Sequence, residues 1–131
     1  MIFADTGVWI DFFAGRDRPE VLELVRLIEA GEEIFFTGVV LQELAQGCPT
    51  AKEAEKIERY LVAFGEIFAQ RSSYLLAAKL YRDCRKKGFT IRSSIDCLIA
   101  ACAIESGCRV LHNDRDYDFI TKVSSLEIHR F

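Results

Sequence analysis

The sequence predicts an α/β domain in which helices cover both faces of a mostly parallel sheet. Two patterns carry this. Short apolar runs recur along the chain, and between them lie longer stretches with apolar residues at i, i+3, i+4 and i+7, the mark of strands alternating with one-sided helices. The length agrees: 131 residues, half of them hydrophobic, suit one domain with its own core, spanning residues 1–131. A chain of this size buries roughly two-thirds of its unfolded surface, so it needs no metal or disulfide staple to fold.

Met1–Ala4 is a buried strand halted at Asp5, and Thr6–Phe13 is a helix that ends near Gly15. Pro19 suits a first helical turn. Val21, Leu24, Val25 and Ile28 then define a helix that stops at Gly31. Ile34–Phe36 is the second strand, and Val39–Gln46 a helix closed by Gly47 with Pro49 beyond. Ile57, Tyr60, Leu61 and Phe64 mark one helix, and Ala77, Leu80, Tyr81 and Cys84 the next, with a brief strand at Glu66–Phe68 between them. Ile95, Leu98, Ile99 and Cys102 share a helix broken at Gly107. Arg109–His112 is a strand, Tyr117–Thr121 a helical turn and Leu126–His129 the last strand.

Twenty acids against seventeen Lys and Arg give a net charge of −3. Nucleic-acid binding through bulk basicity is thereby excluded, and any such function needs a local device. The five cysteines are odd in number and lack CxxC spacing, which fits buried free thiols in a reducing compartment. The amino-terminal MIFADTGVWIDFF has acids and no basic leader, and no apolar run reaches the ~18 residues of a membrane span. A cytoplasmic protein is expected.

The informative residues are acids that interrupt apolar segments. Asp5 ends the first strand, Glu43 lies within VVLQELA, Asp96 opens an apolar helix, and Asp114 follows Val110-Leu111 with Asp116 and Asp118 close behind. Ligands of open parallel sheets gather at the carboxyl ends of the strands, where the strand order reverses. Carboxylates converging there repel one another and call for a hard divalent cation, Mg²⁺ or Mn²⁺. Such an ion acidifies water for in-line attack on a phosphodiester and lets an acidic protein bind a polyanion. Each acid also has a plain alternative. Asp5 can end a strand, Glu43 can face solvent, Asp96 can complete a capping box with Ser93, and Asp114 can cap the following helix. None of these explains why all four fall beside segments expected near one sheet edge.

Four segments carry a resemblance that spans nearly the whole chain: FADTGVWID around Asp5, VLQEL around Glu43, SIDCLIAACA around Asp96 and VLHNDRDY around Asp114. The spacings between the four acids are 38, 53 and 18 residues. Together they resemble the PIN-domain nucleases and, within them, the VapC-type toxins of toxin–antitoxin pairs. The resemblance implies an α/β/α sandwich and metal-dependent cleavage of RNA, the reaction of an endoribonuclease toxin. Asp5, Glu43, Asp96 and Asp114 would be its metal-binding and catalytic acids, with Thr6 supporting them and Asp116 either an outer ligand or, ahead of Asp118, the alternative to Asp114 as the fourth. It also implies a homodimer and an antitoxin whose tail enters the active-site groove. His112 departs from the pattern, since many relatives carry Thr or Ser there.

Arg82, Arg85, Lys86 and Arg92 form the main basic cluster and are candidates to hold RNA phosphates; a solvated helix end explains them equally well. Trp9, Phe12 and Phe13 offer either core or a partner groove. The alternative to an enzyme is a catalytically inactive module that keeps the fold and binds RNA or protein. Phosphotransfer sites fit poorly: position 7 is glycine where a haloacid-dehalogenase-type site wants a second Asp, and the HND strand end lacks a receiver's Lys.

Overall fold

The computed structural model describes residues 1–131. In chain order the elements are β1 (Ile2–Ala4), α1 (Thr6–Phe13), α2 (Pro19–Glu29), β2 (Ile34–Thr37), α3 (Gly38–Gln46), α4 (Ala51–Leu61), β3 (Gly65–Ile67), α5 (Arg71–Lys86), α6 (Ser94–Ser106), β4 (Arg109–Leu111), α7 (Asp116–Thr121) and β5 (Glu127–Ile128). The five strands form one sheet in the order β3-β2-β1-β4-β5, and every pairing is parallel. Phe3 sits opposite Phe35 on one side and Val110 on the other.

That order explains the three layers. The chain moves from β1 outward to β2 and β3, then returns to the other side of β1 for β4 and β5. Right-handed crossovers place helices on opposite faces when the direction of travel reverses. Accordingly α1 packs on α2 and α3, and α3 on α4, while α5, α6 and α7 pack with one another. Strands covered on both faces read as continuous apolar runs rather than alternating ones. Ile2, Phe3 and Ala4 are all fully buried, as are Val110 and Leu111. One cluster of 27 buried residues runs through sheet and helices, including Trp9, Leu24, Leu80, Ile99 and Tyr117. The five thiols of the chain are unpaired: Cys84, Cys97, Cys102 and Cys108 are buried and Cys48 half-buried.

Boundaries shift where local signals mislead. Helix α4 stops at Leu61, so Phe64 lies beyond it in the turn into β3 and reaches the core from there, 5.2 Å from Trp9 between ring centroids. Helix α5 begins at Arg71, six residues before its apolar repeat, because Tyr74 and Leu75 on its first turns are exposed. The terminal strand shrinks to Glu127–Ile128.

Candidate metal centre

The strand order reverses between β1 and β4, and both strands end in an acid. Asp5 directly follows β1 and begins α1; its amide donates to the Leu111 carbonyl at 3.0 Å, which ties the two strand ends together. Asp114 lies three residues past β4. Glu43 comes in from the middle of α3, where the Thr6 hydroxyl donates to its Oε1 at 2.7 Å. Asp96 stands in the first turn of α6. Ser93 caps that helix by accepting from the Ile95 amide at 3.3 Å, but Asp96 makes no return bond to Ser93, so no capping box forms and its carboxylate is left to the cleft.

Asp5, Glu43, Asp96 and Asp114 all line one open cleft of about 310 Å³, together with Thr6, Gly7, Ile10, Arg92, Ser93 and Asn113. Oxygens of Asp96, Asp114 and Asp116 lie within 4.8 Å of one another. Asp116 is the buried member of the three, 1% exposed. Asp118 is turned away, with its Oδ1 3.6 Å from Arg130 and 3.7 Å from His112. The approach of α1 to the β4–α7 loop leaves little room for a side chain at position 7. A Cβ there would stand 2.6 Å from Asn113 Oδ1, and Asn113 is itself held by donation to Asp11 Oδ2 at 3.1 Å.

Crowding of like charge shows in the acidity of these groups. Burial raises the Asp5 carboxyl to about 6, with Glu43 adding to the rise and the Tyr117 hydroxyl opposing it. Burial raises Asp96 to about 7, reinforced by the charges of Asp5, Asp114, Asp116 and Glu43. One cation of the chain answers them. Arg92 donates through its guanidinium to Asp114 Oδ1 at 2.8 Å and through its amide to Asp116 Oδ2 at 3.1 Å. Its side chain is 63% exposed, so it sits at the rim and leaves Asp5 and Asp96 uncompensated. Arg82, Arg85 and Lys86 lie exposed on α5, outside the cleft lining, and Arg85 rests over the Tyr81 ring.

Three contributors escaped the sequence reading. Tyr117 donates its hydroxyl to Asp5 Oδ1 at 2.7 Å from a fully buried position, and Ser93 and Asn113 line the cleft. A serine ahead of a helix signals a cap, but nothing local marks Tyr117 as more than core. His112, only 9% exposed, accepts the Asp114 amide on Nδ1 at 3.0 Å and stacks on Tyr117. Burial lowers its pKa, against the opposing pull of Asp118 and Asp114.

The donor set fits a hard divalent cation: all carboxylate oxygens, no thiolate or imidazole among them, and two acids whose charge is costly without a counter-ion. Asp96, Asp114 and Asp116 are close enough to share such an ion, and Asp5 and Glu43, which line the same cleft, could add ligands to it.

Residues 2–123 match the family described as "PIN domain". The chain is 31% identical over 133 residues to VapC ribonuclease Mb1587 of Mycobacterium bovis, and equally to ribonuclease VapC11 of Mycobacterium tuberculosis; each match covers 100% of this chain and 99% of the relative. In fold it is similar to a chain of VapBC2 from Rickettsia felis bound to a promoter DNA fragment, with a TM-score of 0.77, 19% identity and coverage of 100% of this chain and 99% of that one. VapBC-1 from nontypeable Haemophilus influenzae gives 0.75, 20% identity and coverage of 98% and 97%. Sheet order, cleft and relatives agree, and the chain belongs to the PIN-domain family.

Proposed function

We propose that the protein is an endoribonuclease toxin of a type II toxin–antitoxin system, dependent on Mg²⁺ or Mn²⁺. The observation that carries this is the convergence of Asp5, Glu43, Asp96 and Asp114 on one cleft at the point where the strand order reverses, with Asp116 beneath. Support comes from the names of the full-length relatives, which are VapC ribonucleases.

When bound, the cation supplies acidified water for attack on phosphorus and positive charge against the phosphodiester oxygens. The chain's residues do the rest. Asp5, raised by burial and by Glu43, and Asp96, raised by burial and by the acids around it, would give up protons on binding the cation. Thr6 fixes Glu43 toward the same space. Arg92, the one cation in the cleft lining, would leave Asp114 and Asp116 to take an RNA phosphate, with Arg82, Arg85 and Lys86 on α5 as further candidate contacts.

Three partners belong to this reading: RNA as substrate, an antitoxin protein, and a second copy of the chain. Neighbouring structures are described as VapBC and toxin–antitoxin complexes, which favours the antitoxin. The exposed apolar side chains Phe68, Tyr74 and Leu75 favour self-association. No helix is long and apolar enough to cross a membrane, and the unpaired thiols accord with the reducing cytoplasm.

The test incubates purified protein with labelled total RNA, with and without Mn²⁺ or Mg²⁺, beside Asp5→Asn and Asp96→Asn. Cleavage only by wild type and only with metal is expected. Cleavage that survives chelation, or equal cleavage by all three proteins, contradicts the mechanism; RNA binding without any cleavage favours the inactive module.

A further inference from the structure

We propose that Tyr117 is a positioning residue for Asp5: its hydroxyl holds Oδ1 so that Oδ2 is the oxygen presented to the cleft. The inference deepens the nuclease reading and rests on it.

Three observations on Asp5 and Tyr117 lead to this. The phenol donates to Asp5 Oδ1 at 2.7 Å across 112 residues of sequence, a charge-assisted bond of the stronger kind. The Thr6 and Gly7 amides also lie close to the Asp5 carboxylate, but Tyr117 is the one side chain that donates to it; Asp5 lines the cleft, so the oxygen that Tyr117 does not hold is the one available there. The tyrosine itself has no freedom to turn, being fully buried with its ring 4.9 Å from that of His112. An unrestrained carboxylate can rotate between one-oxygen and two-oxygen coordination, whereas one whose Oδ1 is engaged offers a single oxygen in a fixed direction.

The placement of α7 gives the contact its reach. The loop that supplies Asp114 runs straight into α7, which opens with Asp116 and Tyr117, so one short segment brings two carboxylates and sets the orientation of a third at the end of β1.

The test compares wild type with Tyr117→Phe, which deletes one oxygen and keeps the ring. Three readouts are taken: Mn²⁺ affinity by titration calorimetry, RNA cleavage resolved into kcat and KM, and melting temperature without metal. The expected result is Mn²⁺ binding weakened on the order of 10- to 100-fold. With it come a lower kcat at sub-saturating Mn²⁺, an RNA KM within about twofold of wild type, and recovery of kcat at high Mn²⁺. A merely structural tyrosine would change the melting temperature but would not give metal-dependent recovery. Unchanged Mn²⁺ affinity and kcat in Tyr117→Phe overturn the inference alone. Failure of wild type to bind Mn²⁺ overturns the metal-dependent reading and this inference with it.

Discussion

At Asp96 the energetics and the chemistry pull in opposite directions. Its ionised form is disfavoured first by burial and then by four neighbouring acids, and its folded pKa lies above the ~4 of an unfolded chain. A raised carboxyl pKa adds stability at low pH that is lost as pH climbs through the folded value. The metal-free protein should therefore lose melting temperature between about pH 4 and pH 7, and saturating Mn²⁺ should restore it; thermal melts across that range check this. Asp96→Asn should raise the metal-free melting temperature at pH 8 while lowering kcat on the order of 10²- to 10³-fold, and an RNA cleavage assay reads that loss. Glu23 shows the opposite sign. Arg26 and, after it, His129 hold its carboxyl at about 2, so its contribution is present above an unfolded pKa of ~4.3 and fades as pH falls toward 2. Glu23→Gln should cost about 1 kcal/mol at pH 7, a figure kept small by the exposure of Arg26, and should flatten the acid limb of the stability curve. The four cleft acids were legible because a charge amid apolar residues needs a reason. Tyr117 was not, since an aromatic at core spacing looks the same whether or not its hydroxyl has work to do.

Among the elements, α6 and α7 bear most on the site. Helix α6 is apolar around nearly its whole circumference, with Cys97, Ile99, Ala100, Ala101, Cys102 and Ala103 all buried, which seats Asp96 firmly against the sheet end. It closes at Gly107 with φ 68°, a left-handed conformation that disfavours any residue with a Cβ. Gly107→Ala should cost about 1–2 kcal/mol, visible in urea unfolding as a lower midpoint with unchanged slope. Its added Cβ meets nothing within 4 Å, so backbone strain alone accounts for the loss. Gly7→Ala differs, because the crowded atom is Asn113 Oδ1, and its damage should appear in activity as well as stability. Helices with a strong apolar repeat and a glycine stop were readable in sequence. The start of α5 was not, because its exposed Tyr74 and Leu75 break the pattern, and the end of α4 was not, because Phe64 continues the spacing after the helix has turned toward β3.

For the molecule as a whole, topology does what no local signal can. Alternating strands and helices predict a parallel sheet, but the order β3-β2-β1-β4-β5, which sets Asp5 beside Asp114, depends on long-range pairing that periodicity does not encode. The exposed Phe68, Tyr74 and Leu75 predict that light scattering will give twice the chain mass of 14.9 kDa, and that Phe68→Lys with Leu75→Lys will reduce it to one. On the proposed reading, acids from the end of β1, from α3, from α6 and from the β4–α7 loop hold divalent metal together. Anomalous diffraction from crystals grown with Mn²⁺ tests it most directly. A manganese peak in the cleft lined by Asp5, Glu43, Asp96 and Asp114, lost in Asp5→Asn, is the predicted result. A cleft without manganese at saturating concentration, or a peak only at surface acids elsewhere, would contradict the account.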